Sequence, residues 1–277
     1  MLAGEQASAE DVERLRAALA LDQPFWTRFA AWLGGALRGD LGSSVFSGRP
    51  VADLIAQRLE PTAALAASSL LIAVLLALPM GVIAAWQAGR WPDRMLMSLS
   101  VAGFSMPVFV LAYLLIMVFS VELGLLPVQG YRWIAHGAGP FLAHLALPAL
   151  SLGFIYATLI ARVTRAAVLE VLQQDYIRTA RAKGLPMAAV LTRHALRNAA
   201  LPIVTIIGIG FAMLISGVVV TETVFNIPGL GRLTVDAILR RDYPLIQGLI
   251  LVFSITYLVV NLLVDLSYAW LDPRIRY

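Results

Sequence analysis

Five uninterrupted stretches without a charged side chain dominate the chain: residues 61–89, 95–121, 133–161, 198–221 and 243–264. Each exceeds the roughly 20 residues that a helix needs to cross a hydrocarbon core. In lipid, no water satisfies a bare backbone N–H or C=O, so only helices or closed barrels can span it. The runs are too long and too evenly apolar for the alternating pattern of barrel strands. The fold class that follows is all-α, a polytopic membrane protein with five visible spans. Composition agrees, since only 14% of residues are charged where a soluble domain carries about 25%. The third stretch holds His136 and a Gly-rich turn at 137–140, so its span is expected to start near Phe141.

Charge sets the orientation. The connection after the first span, the polar region around 162–197 and the C-terminal tail hold eleven basic and four acidic residues, net +7. The opposite side (residues 1–60, 122–132 and 222–242) is net −2. Basic short loops stay in the cytoplasm, so the polar region and the C-terminus are expected there, and residues 1–60 outside. The basic excess is thus a topology signal. It does not point to nucleic acid, because the arginines are dispersed along segments pinned to the membrane. No cysteine is present, which excludes disulfides, thiolate-bound metal and thiol catalysis. Residues 1–30 contain no apolar core of a signal peptide.

Residues 1–60 read as a packed extracytoplasmic cap of three short helices. Ser8 and Asp11 open the first, with Val12, Leu15 and Leu19 at helical spacing. Pro24 separates it from a second with an apolar face of Phe25, Phe29, Trp32, Leu33 and Leu37. After a turn at Gly39-Asp40-Leu41-Gly42, Val51, Leu54, Ile55 and Leu59 predict a third, ended at Pro61. The spans are then expected over 62–86, 95–121, about 141–165, 201–221 and 245–264. Small residues at Ala146, Ala149 and Gly153 in the third permit close helix contact. Val235, Ile238 and Leu239 suggest a short helix before the last span, which Tyr268 and Trp270 extend as an interfacial anchor.

The polar region from Tyr176 to Pro202 is more than a loop. Residues 177–183 are helix-prone, with Arg181 and Lys183 near the C-terminal end, where cations suit the helix dipole. Gly184 is a natural stop and Pro186 a natural start for a second short helix. In that helix Met187, Val190, Leu191 and His194 share one stripe, with Arg193 and Arg197 off it. Such a pattern predicts an elbow of two helical pieces that meets a soluble partner.

Other chemistry is poorly supported. There is no Gly-Lys pair, hence no phosphate-binding loop of the Gly-x-x-x-x-Gly-Lys type. His136, His144 and His194 have no partners at metal-ligand spacing, so no metal site is expected. His144 and Ser151 share a helix face but lie about 10.5 Å apart along it, too far for a catalytic pair. Asp265, one turn after Asn261, is a carboxylate bordered by apolar sequence; such groups are candidates for proton coupling. Its place near the end of its span favours a structural hydrogen bond, with an ion-coupled secondary transporter as the alternative reading.

At 178–184 the sequence Arg-Thr-Ala-Arg-Ala-Lys-Gly resembles the cytoplasmic coupling motif of inner-membrane permeases of ATP-binding cassette (ABC) importers, in the dipeptide/oligopeptide/nickel family. The resemblance continues at Gly39-Asp40-Leu41-Gly42, Arg49-Pro50-Val51, Ser105-Met106-Pro107, Leu147-Pro148, Glu222-Thr223-Val224-Phe225, Pro228-Gly229-Leu230-Gly231, Asp242-Tyr243-Pro244 and Leu271-Asp272-Pro273-Arg274. Arg178 stands where the general motif has an acid. The family has six spans, whereas five are visible here. The resemblance implies a type I ABC importer transmembrane domain over residues 61–272, with a coupling region at 166–200 after the extracytoplasmic segment 1–60. It implies a bacterial inner-membrane permease subunit that is not itself an enzyme. Its partners would be a second homologous permease, two ATPase subunits that hold ATP and Mg²⁺, an extracytoplasmic solute-binding protein and membrane lipid. Coupling to the ATPase would fall to Arg181, Ala182, Lys183, Gly184, Leu185, Pro186, Met187, Val190 and Leu191. Glu222, Phe225, Pro228, Gly229 and Gly231 would form an external gate or binding-protein contact.

Overall fold

The computed structural model describes residues 22–271, and every named element there is helical. The proposed first short helix at 8–19 and the Asp272-Pro273-Arg274 tail lie outside the described residues. Helix α1 is Phe25–Ala36 and α2 is Val51–Trp86. Helix α3, Trp91–Ser105, is followed by α4, Val108–Leu115, which continues as a π-helical turn over Ile116–Glu122. Helix α5 is Ala138–Leu172 and α6 is Asp175–Ala182. Helix α7, Met187–Asn198, carries a π-helical turn at Val190–Ala195. Helices α8, Ala200–Val224, α9, Leu230–Leu239, and α10, Tyr243–Leu271, complete the chain.

Three helices (α2, α5 and α10) are long and apolar enough to cross a membrane, and five spans result if each of two bent pairs counts as one. The bends are where the structure departs from the expected rods. The second span is not continuous: α3 and α4 meet at 104° across Met106 and Pro107. Proline disfavours the α conformation in the residue before it, and Met106 is accordingly extended, at ψ 126°. Helices α7 and α8 meet at 64°.

Pro61 does not end a helix as expected. The predicted third cap helix and the first span are one 36-residue helix, α2, with Pro61 inside it. Proline forfeits one backbone hydrogen bond, yet this site is buried and the helix packs on both sides of it. The buried positions of α2 recur every four residues: Pro61, Leu65, Ser69, Ala73, Ala77, Gly81 and Ala85. This stripe of mostly small side chains is the seam against α5, which runs parallel to α2. A Cβ on Gly153 would stand 2.7 Å from the Ser69 carbonyl oxygen, and one on Gly81 2.6 Å from Thr164 Cβ. In lipid, where apolar side chains gain little by leaving the solvent, close backbone approach of this kind drives helix association. Gly217 likewise seats α8 on Leu152 and Tyr156 of α5, and Gly208 seats it on Val264 of α10.

The cap is packed only in part. Helix α1 buries none of its residues, and its aromatic face of Phe25, Trp26 and Phe29 is exposed. Packing in this segment begins at Leu41, which joins Val51, Leu54, Ile55, Leu230, Leu233, Leu245 and Leu249 in a cluster at one end of the molecule. A second cluster, Ala85, Ala167, Val168, Ala195, Ala199 and Ile203, closes the other end.

Candidate coupling site and the opposite clasp

The polar elbow forms as expected. Helix α6 buries Ile177 and Ala180 and leaves Arg178, Arg181 and Lys183 exposed. Gly184 adopts φ +81°, a left-handed conformation that costs a non-glycine residue roughly 1 kcal/mol or more. The turn it allows pairs two otherwise free carbonyls of α6: Gly184 N–H donates to Arg181 O at 2.9 Å and Leu185 N–H to Ala180 O at 3.3 Å. This is the Schellman arrangement of a helix C-terminus. Pro186 is the N-cap of α7, one residue before its first turn, and its carbonyl accepts from Val190 N–H at 3.1 Å.

The direction of the apolar stripe is a correction. Val190 is fully buried and Leu191 is 8% exposed within this chain. The Val190–Ala195 turn rests on α6 and α5, and Ala195 joins the cluster formed with the ends of α2 and α5. These side chains therefore anchor α7 to its own transmembrane helices and are not free to dock a partner. The free face of the elbow is Arg181, Ala182, Lys183, Gly184, Pro186 and Ala188, with Leu185 and Met187 half-buried beside it.

The loop expected to form an external gate or binding-protein contact is held by hydrogen bonds as a clasp. Glu222 is fully buried. Its carboxylate accepts from Thr62 Oγ1 at 2.6 Å and from Arg232 N–H at 2.9 Å. Leu230 N–H donates to the same Thr62 hydroxyl at 2.7 Å, and Ile227 N–H to the Glu222 carbonyl at 2.8 Å. Phe225, Gly229 and Gly231 are buried too, which leaves Pro228 as the exposed member of the five. Neighbouring ties complete the clasp. Ser44 Oγ and Val45 N–H donate to the buried Asp242 carboxylate. Tyr131 donates to Glu60 at 3.1 Å, and burial with that carboxylate beside it pushes the phenol above its usual range.

Sequence reasoning missed two buried polar ties. Thr62 holds Glu222 across 160 residues, and Arg165 forks onto Asp93 across 72; at such separations no local signal exists. Asp265 is exposed on α10. Ser151 is buried and donates to Pro148 O at 2.8 Å, while His144 Nδ1 sits 2.8 Å from Pro140 O, so each is occupied by its own helix.

Comparison with known proteins agrees with this architecture. The family model described as "Binding-protein-dependent transport system inner membrane component" matches residues 77–277. The chain is 49% identical over its whole length to a probable peptide ABC transporter permease protein, y4tP, of Sinorhizobium fredii, covering 88% of that protein. It is 47% identical over its whole length to the glutathione transport system permease protein GsiC of Escherichia coli K12, again covering 88%. Among solved structures, the inward-facing MetNI methionine ABC transporter superposes with a TM-score of 0.66 at 18% identity, over 79% of this chain and 96% of that one. An amino acid ABC transporter superposes with a TM-score of 0.56 at 16% identity, over 78% and 92%. The fold is thus that of an ABC importer transmembrane domain and not that of an ion-coupled transporter, which sets aside the secondary-transporter reading. With its helical transmembrane core and its basic elbow, the chain belongs to the family of inner-membrane permease components of binding-protein-dependent ABC transport systems.

Proposed function

We propose that this permease imports peptides or similar small solutes, as half of a pathway completed by a second, related permease. Two ATPase subunits supply the energy and hold ATP and Mg²⁺, and an extracytoplasmic solute-binding protein delivers the solute. The elbow 175–198 and the C-terminus face the cytoplasm, in a coupling region at 166–200 of a transmembrane domain over 61–272; the basic bias of that side supports this orientation.

The observation that carries the reading is the two-sided elbow. Its outer face offers Arg181, Lys183, Leu185, Pro186 and Met187, while its inner face buries Val190 and Leu191 in a turn that rests on α6 and α5, with Ala195 in the cluster at the ends of α2 and α5. A groove on an ATPase would grip the outer face. Because the inner face is packed, motion of that groove moves α2 and α5 with the elbow. Gly184 keeps the angle between α6 and α7 set while this happens. Thr223, Asn226 and Pro228 are the exposed parts of the opposite loop, open to a binding protein.

The test is recruitment. Wild-type chain should co-purify the ATPase subunits. Lys183→Glu with Arg181→Glu, both on exposed positions, should lower recruitment at least tenfold without lowering thermal stability. Recruitment unchanged by the double reversal would refute the outer face as the docking surface.

A further inference from the structure

The elbow reaches α2 and α5 through a cluster to which α3 contributes no residue. Helix α3 buries only Asp93, Ser100 and Gly103 of its fifteen residues. Two contacts fasten it to α5, an ion pair at its start and close packing at its end. At its start, Arg165 of α5 donates Nε to Asp93 Oδ1 at 2.6 Å and Nη2 to Oδ2 at 2.7 Å, and Gly89 N–H donates to Oδ2 at 2.8 Å. At its end, a Cβ on Gly103 would lie 2.7 Å from Thr158 Cγ2, and the Arg162 guanidinium stacks on the Phe104 ring, 4.7 Å from its centroid.

The first tie has an unusual position. Val168, one turn after Arg165, is buried in the cluster that receives Ala195 and Ala199 at either end of the elbow's last turns. Ala85 of α2, in the same cluster, precedes Gly89 by one turn. The carboxylate of Asp93 therefore joins the turn after α2, the start of α3 and α5, and its partners Gly89 and Arg165 each stand within four residues of a member of the cluster that seats α7. A buried ion pair adds little net stability, because desolvation cancels most of its attraction. What a bidentate fork does supply is fixed geometry.

We infer that Asp93 and Arg165 are a positioning pair that makes the start of α3 follow α5, so that displacement of α7 reaches the 104° bend at Met106 and Pro107. The inference rests on the coupling role proposed for α7. Without the fork, α5 would still move with the elbow while α3 lagged behind it. Solute movement would then be lost from each cycle of ATP hydrolysis.

Two measurements test this. The chain has no cysteine, so spin labels can be placed at Met95→Cys on α3 and Ala188→Cys on α7, both exposed positions. Between them a narrow distance distribution is expected in the wild-type background, a broad one in Arg165→Met, and an intermediate one in Arg165→Lys, which keeps the charge without the fork. In the complete importer, Arg165→Met and Asp93→Asn should keep basal ATPase activity within about twofold of wild type, whereas solute transported per ATP falls about tenfold. A purely structural pair would lower the amount of assembled complex and leave that ratio unchanged. An unchanged ratio in assembled Arg165→Met, or an unchanged distance distribution, overturns the inference. If wild-type chain recruits no ATPase, the coupling reading fails by itself, and the label distances still judge whether the pair fastens α3.

Discussion

Gly229→Ala is the sharpest test of the clasp. Gly229 has φ −103° and ψ −177°, extended backbone open to any residue, so it is glycine for space and not for conformation. An added Cβ would stand 2.5 Å from Glu222 Oε2 and closer still to the rest of the carboxylate. The side chain of Glu222 must therefore leave its site. It then loses the bonds from Thr62 and from Arg232 N–H. Hydrogen bonds to a charged group contribute about 1.5–3 kcal/mol each, so the two together set a loss of about 3–6 kcal/mol. At roughly 2–4 °C per kcal/mol for a chain of this size, the melting temperature in detergent should fall by about 10 °C. Gly34→Ala, with nothing within 4 Å of an added Cβ, is the control and should be neutral or slightly stabilising. The decisive arm is a double-mutant cycle. Glu222→Ala removes the group that the new methyl strikes, so Gly229→Ala should cost little in that background, with a coupling energy of about 2–4 kcal/mol. If the two losses simply add, or if Gly229→Ala alone melts within about 1 °C of wild type, the steric account is wrong.

Further outcomes follow from the same geometry. Gly153→Val should push α2 away from α5 at Ser69 and cost about 1–3 kcal/mol by overpacking, read as a loss of melting temperature that Gly139→Ala, in open space, does not show. Gly184→Val should cost about 1–2 kcal/mol for its φ of +81°, seen as faster amide hydrogen exchange at residues 180–186 and little change elsewhere. Val190→Asp, at a fully buried site, should lower both melting temperature and ATPase recruitment, in contrast to Lys183→Glu, which should lower recruitment alone. Asp242→Ala should leave the Ser44 hydroxyl and the Val45 N–H without their acceptor and destabilise the clasp by about 2–3 kcal/mol, measured by accelerated exchange at Val45.

Much of the site was legible because its signals are local. The stop at Gly184 and the new start after Pro186 depend on backbone chemistry within a few residues, and both stand where the sequence puts them. The stripe of Val190, Leu191 and Ala195 was also legible, but not the body it faces. Helical spacing shows that side chains share a side and carries no information about which neighbour covers it. The seam of α2 shows a signal that was present and overlooked: Ser69, Ala73, Ala77, Gly81 and Ala85, small residues at four-residue intervals, mark the face where another backbone comes close. Pro61 stays inside α2 because packing on either side of it offsets its local cost, and nothing in the residues next to the proline signals that packing.

By itself, the sequence determined the membrane class, the all-helical fold, the side on which the basic elbow is expected and the elbow's own shape. Each of these rests on short-range terms: the cost of bare peptide groups in lipid, the clustering of charge and the torsional freedom of single residues. Only the tertiary structure decided that Glu222 is buried on Thr62, that the second span is bent by 104° at Pro107, and that Asp93 and Arg165 meet. The two ties join residues 160 and 72 positions apart. A fully hydrogen-bonded buried carboxylate and a solvated one are the same letter until the chain has folded around them.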